Sequence, residues 1–244
     1  MRLRLTIAYD GGPYAGWQSQ PQGNAVQDLL EKAFWKIAGT RVAVHGSGRT
    51  DAGVHALGQC AHVEVFGKMD PGDWQLALNA NLPPTIRIVK SCRVAANFHA
   101  RFSAKAKVYR YLVRNGPVLP PHEFGRVWHV PHTLDIETLR RAAAVLTGCH
   151  DFAAFSANRG KAARETVRTM RKIALSCRTG LIALTFEGDG FLYKMVRMLT
   201  AAMIRVAQQG ENLDILRARL RKGAPKWSHV APAEGLYLVR VLYH

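Results

Sequence analysis

The stretch Gly46-Ser47-Gly48-Arg49-Thr50-Asp51-Ala52-Gly53-Val54-His55 holds the residues best suited to chemistry. Three glycines within eight residues let the backbone take positive φ and approach a ligand closely. Among them stand a cation, a hydroxyl and a carboxylate, an unusual cargo for a turn. A lone carboxylate on such a loop, with Arg49 two residues from Asp51, is a candidate catalytic group.

Other loop chemistries fit less well. A dinucleotide-binding loop beginning Gly46-x-Gly48 needs a helix behind it, and the alternating residues that follow read as a strand. A phosphate-cradling loop needs Gly-Lys-Ser/Thr, and the stretch has no lysine. On composition alone, a long hairpin loop with Asp51 as a turn former explains it equally well.

The elements around the loop follow from periodicity. Arg41-Val42-Ala43-Val44 and Cys60–Val65 both alternate polar and apolar, so each reads as a half-buried strand flanking the loop. Upstream, Leu3, Leu5, Ile7 and Tyr9 define one face of a first strand, broken at Asp10-Gly11-Gly12-Pro13. Asn24 reads as a helix cap with Gln27 returning the bond. Val26, Leu29, Leu30, Ala33, Phe34 and Ile37 then form a helical stripe. Pro71 opens a second helix carrying Trp74, Leu76, Ala77 and Leu78, stopped at Asn81-Leu82-Pro83-Pro84, and Ile86–Val89 resumes as a strand. The order β-α-β-loop-β-α-β fits a ferredoxin-like unit.

Phe98–Ala104 reads as a junction, giving subdomains 1–103 and 104–244. In the second, Lys105–Val113 alternates with Tyr109 and Tyr111 on one face, and Pro117–Pro131 reads as a long loop. Asp135 caps a helix through Leu146, ended by Gly148. Asn158–Arg168 is a polar, basic segment, equally suited to contacting RNA or to lying solvated at the surface. Leu181–Phe186 reads as a strand, Phe191–Ala207 as a helix with Arg197 beside its apolar stripe, and Asp214–Arg221 as a basic helix. The expected fold class is α+β: two ferredoxin-like, RRM-like subdomains forming a continuous, mainly antiparallel sheet, helices on one face, and an active cleft between the subdomains.

Composition narrows the function. The chain has 244 residues, 48% of them hydrophobic, and a net charge of +17. The charge is uneven: residues 1–103 hold 11 Lys/Arg against 7 Asp/Glu, and residues 104–244 hold 23 against 10. Such an excess favours a polyanionic partner, because each neutralised phosphate releases counterions, and nucleic acid fits better than a membrane surface. No apolar run reaches membrane-spanning length and no targeting segment is expected. The four cysteines are scattered and read as reduced thiols. His129-x-x-His132 lacks a third ligand at suitable spacing, so no metal is expected.

Gly48-Arg49-Thr50-Asp51-Ala52-Gly53-Val54-His55-Ala56 with Gly58-Gln59 resembles the signature of the tRNA pseudouridine synthase A family. Tyr9-Asp10-Gly11 with Tyr14-x-Gly16-Trp17-Gln18-x-Gln20, Asn79-x-Asn81-Leu82-Pro83, Asp151-Phe152-x-x-Phe155, Met195-Val196-Arg197 and Gly235-Leu236-Tyr237-Leu238 are similar to further family stretches, in order along the chain. The resemblance implies that Asp51 is the essential catalytic carboxylate and that Arg197 pairs with it. It also implies that Tyr109 contacts the uracil ring and that Arg49 fills the space left by a flipped base. The implied activity is isomerisation of uridine to pseudouridine at positions 38, 39 and 40 of the tRNA anticodon stem-loop. The implied enzyme is a cytoplasmic homodimer without metal or small-molecule cofactor. Ala201 and Ala207 stand where the family commonly has glycine; alanine is the better helix former, so only a small packing adjustment is expected.

Overall fold

The computed structural model describes residues 1–21, 23–157, 165–210 and 212–243. The fold is α+β with mainly antiparallel strand pairing. The chain divides into two compact units, Met1–Lys105 with Tyr237–His244, and Ala106–Leu236.

The first unit runs β1 (Arg2–Tyr9), α1 (Val26–Ala38), β2 (His45–Gly46), β3 (His55–Glu64), α2 (Pro71–Asn81) and β4 (Ile86–Arg93). β1 is central, antiparallel to β3 on one side and β4 on the other, and β2 pairs with β3. This is the ferredoxin-like strand order, with β2 shrunk to two residues. Leu3, Leu5, Ile7 and Tyr9 alternate into the core, where Phe34 of α1 meets Trp74 of α2 with ring centroids 5.4 Å apart. Each fully buried Leu or Ile contributes about 1.5–3 kcal/mol, which outweighs any local propensity at these positions.

Three local expectations need correction here. α1 starts one residue later than Asn24 implies, at N-cap Ala25, whose N–H is taken by the Asp28 carboxylate at 2.9 Å. Asn24 instead donates to the Pro13 carbonyl at 3.0 Å. Arg41–Val44 is not a strand although Val42 and Val44 are buried. At Val44 both backbone groups go to α1 side chains: Glu31 accepts from Val44 N at 3.1 Å, and Gln27 donates to Val44 O at 3.2 Å. On α2, Leu76 is exposed while Trp74 and Leu78 fill the core.

The second unit contains β5 (Ala106–Asn115), β6 (Trp128–Val130), α3 (Ile136–Leu146), β7 (Gly148–Asp151), β8 (Val167–Arg178), β9 (Leu181–Gly188), α4 (Met195–Gln209) and α5 (Asp214–Arg219). β5, β9, β8 and β7 form an antiparallel meander, and β6 adds to β5 in parallel. The expected loop 117–131 therefore contains a short strand as well as a 3-10 turn at Pro121–Glu123. Asp135 caps α3 as expected, accepting from Glu137 N at 2.9 Å. α4 begins at Met195, not at Phe191. Ala157 N claims the Tyr193 carbonyl at 3.0 Å, and Lys194 takes a left-handed φ of 60° that interrupts helical bonding.

β10 (Leu236–Leu242) returns to the first unit, parallel to β3 with Tyr237 opposite His55. The resemblance marked Gly235-Leu236-Tyr237-Leu238 as a family stretch, and the expected boundary keeps it within 104–244.

Candidate active-site loop and its supports

The Asp51 loop is held from several sides within the first unit. Thr50 is buried, Asp51 half-buried and Arg49 exposed. Thr50 Oγ1 meets the Tyr9 hydroxyl at 2.8 Å, and Thr50 O accepts from Trp17 N at 3.1 Å. Burial pushes the Tyr9 phenol well above its ordinary pKa, with the Thr50 and Gln59 hydrogen bonds pulling it partly back. Tyr9 is therefore a neutral hydroxyl clamp across physiological pH.

Downstream, Val54 N donates to Asp51 O at 3.1 Å, closing a turn at the carboxylate. Gln59 fastens the other limb: its Oε1 accepts from Ser47 Oγ at 2.8 Å and from Cys60 N at 3.1 Å, and its Nε2 donates to Gly48 O at 3.0 Å. His55 is buried and stacked on Tyr237 at 4.6 Å. Its Nδ1 receives Gly11 N–H at 3.1 Å and lies 3.1 Å from Asp10 Oδ1. That nitrogen can serve one of them at a time: as an acceptor for Gly11 when unprotonated, as a donor to Asp10 when protonated.

Close approach explains the glycine at 16. With φ at 92°, a Cβ there would lie 2.6 Å from Thr50 O, so this loop packs backbone to backbone against the Asp51 loop. Gln18 extends the contact, its Oε1 accepting from Arg49 Nε at 3.1 Å while its Nε2 donates to Gln27 Oε1 at 2.9 Å. Arg49 is thus exposed yet aimed by a relay running back to α1.

Tyr109 and Arg197 lie in the second unit. Tyr109, on β5 opposite Phe186, is buried and meets Phe191 edge to face at 5.0 Å. Arg197, in the first turn of α4, is half-buried; its Nε donates to Ala231 O at 2.7 Å, and its own carbonyl accepts from Ala231 N at 3.2 Å. Tyr111 donates to Pro232 O at 2.7 Å. Burial raises the Tyr111 phenol well above its ordinary value, Glu234 raises it further, and Arg197 opposes them. Ala201 and Ala207 are both buried in α4.

The basic segment Asn158–Arg168, equally suited to contacting RNA or to lying solvated, falls largely on residues 158–164, outside the described residues. Cys60, Cys92, Cys149 and Cys177 are free thiols. Among the described residues, no three His, Cys, Asp or Glu side chains converge as a metal site needs, and His129 Nε2 is instead bonded to Gly116 O at 2.8 Å. Among the same residues no helix is long and apolar enough to cross a membrane.

Gln18 and Gln59 stand in the sequence only as parts of family-like stretches, and Tyr9 also as part of a strand's apolar face; their hydrogen-bonding tasks appear in the structure. For Tyr9 and Gln59 the signal was compositional: polar groups within strands whose neighbours are apolar, hence side chains that must find partners inside the fold.

A half-buried carboxylate on a loop clamped at Thr50, Val54 and Gln59, two residues from an exposed guanidinium, has the chemistry for electrostatic or nucleophilic work. The tRNA pseudouridine synthase family profile matches residues 5–103 and 142–244. The chain is 44% identical to tRNA pseudouridine synthase A of Akkermansia muciniphila, covering 99% of this chain and 95% of that one. It is 42% identical to the protein of the same name in Acetivibrio thermocellus, over 99% of both chains. With the Bacillus licheniformis protein of that name it shares 40% identity, over 100% of this chain and 99% of the other. The chain belongs to the tRNA pseudouridine synthase family, isomerases that convert uridine to pseudouridine in tRNA.

Proposed function

We propose that this chain converts uridine to pseudouridine at positions 38, 39 and 40 of the tRNA anticodon stem-loop, with Asp51 as the catalytic carboxylate. The observation that carries the reading is the anchored loop. Asp51 is half-buried between a buried Thr50 bonded to Tyr9 at 2.8 Å and a turn closed by Val54 N at 3.1 Å.

The target base must leave its stack to be reached, and Arg49, exposed and steadied by Gln18, is the side chain suited to occupy the vacated space. The reaction breaks the bond between N1 of uracil and C1′, turns the base, and joins C5 to C1′. The proton lost from C5 is balanced by one gained at N1. Positive charge develops on the sugar as the first bond breaks, and an ionised carboxylate stabilises or attacks it. The family resemblance assigns Arg197 as the cation that partners the Asp51 carboxylate. Tyr109 packs on the uracil and helps position the acceptor for the C5 proton. The enzyme acts in the cytoplasm as a homodimer, which sedimentation equilibrium would reveal as a mass of two chains and refute as a mass of one.

Pseudouridine mapping on an unmodified tRNA with uridines at 38, 39 and 40 tests the reading, comparing the wild type with Asp51→Asn. Modification at those positions that vanishes in the variant is the expected result. Modification elsewhere sinks the choice of target, and binding without modification by either protein sinks the catalytic role.

A further inference from the structure

The first unit carries a second group of polar side chains, away from the Asp51 loop. Arg4 leaves β1 on the opposite face from Leu3 and Leu5 and is half-buried. Its guanidinium carbon lies 5.9 Å from the centroid of the Phe98 ring and 5.8 Å from that of Tyr243. These three residues, with Asn97 and Ser103, line a cavity of about 330 Å³. That size falls in the range of small-ligand pockets.

The described residues lining this cavity include no acidic side chain to pair with Arg4. Among the described residues, the Arg4 side chain has its two ring contacts and no hydrogen-bond acceptor or carboxylate. The nearby Glu64 is taken by Arg2. The Tyr243 hydroxyl donates to Ala100 O at 2.8 Å, and burial keeps that phenol neutral by raising its pKa. Ring contacts engage the cation's charge and leave its N–H donors to face the cavity.

The other polar walls are donors too. Ser103 Oγ already accepts His99 N–H at 3.0 Å, which leaves its O–H to give, and the exposed Asn97 offers an amide. A guanidinium, a hydroxyl and an amide facing one cavity without an acidic residue make a site for an oxyanion, and the planar donor fork of arginine matches phosphate.

We propose that the cavity of Arg4, Phe98 and Tyr243 binds a phosphate group, supplied by the RNA backbone outside the reacting nucleotide. Tyr9 marks the Thr50 end of β1, and Arg4 lies five residues back, about 16–17 Å along the strand. The contact is therefore separate from the Asp51 loop, and it adds affinity and register instead of chemistry. It rests on the tRNA reading above only for the source of the phosphate.

Two variants test it: Arg4→Gln, and Asn97→Asp, which leaves Arg4 in place and sets a repelling carboxylate at an exposed rim. Binding of unmodified tRNA is measured across a salt series, alongside the melting temperature with and without inorganic phosphate. Arg4→Gln is expected to flatten the slope of log K against log salt by about 0.7–0.9 and to raise Kd roughly three- to tenfold, with kcat at saturating tRNA unchanged. Asn97→Asp shifts Kd in the same direction. Inorganic phosphate raises the melting temperature of the wild type and not of Arg4→Gln. If phosphate stabilises the wild type alone but tRNA affinity and slope stay fixed, the site stands and its source is a free phosphate compound. If neither the salt slope nor the phosphate response changes, the proposal is overturned. The phosphate arm needs no pseudouridine formation, so its failure and that of the catalytic reading are told apart.

Discussion

The Tyr9 hydroxyl and Thr50 Oγ1 lie 2.8 Å apart inside the first unit, which ties the residue before Asp51 to the end of the central strand. The bond spans 41 positions of sequence and is fully buried. It anchors a glycine-rich connection at the residue before Asp51.

Removing that bond should be costly. Tyr9→Phe leaves the Thr50 hydroxyl buried without its partner, a loss of about 1–3 kcal/mol. Urea denaturation is expected to show the lower midpoint, and pseudouridine formation is expected to fall further than stability alone explains. An unchanged midpoint with full activity would remove Tyr9 from the support of the loop.

Gly16→Ala attacks the same loop from outside. The new methyl would sit 2.6 Å from Thr50 O at a φ of 92°. Both strain and displacement act, so a destabilisation of about 1–3 kcal/mol is expected, together with loss of activity. A thermal melt and a single-turnover assay measure the two parts.

Gln18→Ala separates positioning from stability. It frees Arg49 Nε from its 3.1 Å bond at an exposed site, so the melting temperature should move little. Single-turnover rates on tRNA are expected to drop severalfold, and Gln18→Glu, which still accepts from Arg49, should recover part of the loss. Equal rates in all three proteins would show that the relay does not matter.

The first unit should also lose stability in mild acid. His62 is buried, its Nδ1 accepts Ala100 N–H at 3.2 Å, and it stacks on His45 at 4.9 Å and beside His99 at 4.6 Å. Burial first, then the charges of His99, His45 and Arg2, push its pKa down from 6.5 to about 4, with Glu64 opposing them. The unfolded chain therefore binds a proton as pH falls below about 6.5 while the folded chain does not, so stability declines between pH 6.5 and 4. The loss is on the order of 2 kcal/mol. Urea midpoints followed over that range should flatten in His62→Gln, and an unaltered profile would assign the acid sensitivity to other groups.

The residues themselves determined much of this protein. The alternation of Leu3, Leu5, Ile7 and Tyr9, the capping Asp135 and the stop at Pro83-Pro84 are local signals, and each acts over a few residues of backbone. The content of the Asp51 loop is likewise written in one contiguous run. What tertiary structure alone decided is partnership between distant groups. Gln27 and Glu31 of α1 take both backbone groups of Val44, and alternation over Arg41–Val44 produces burial without a strand. Ala157 takes the Tyr193 carbonyl, and α4 starts late. β10 pairs with β3 across most of the chain, and Tyr9 meets Thr50. Periodicity fixes which side of an element is apolar; it carries no information about which distant donor will satisfy a given acceptor. That choice is made only when the core closes and every buried polar group must find a partner.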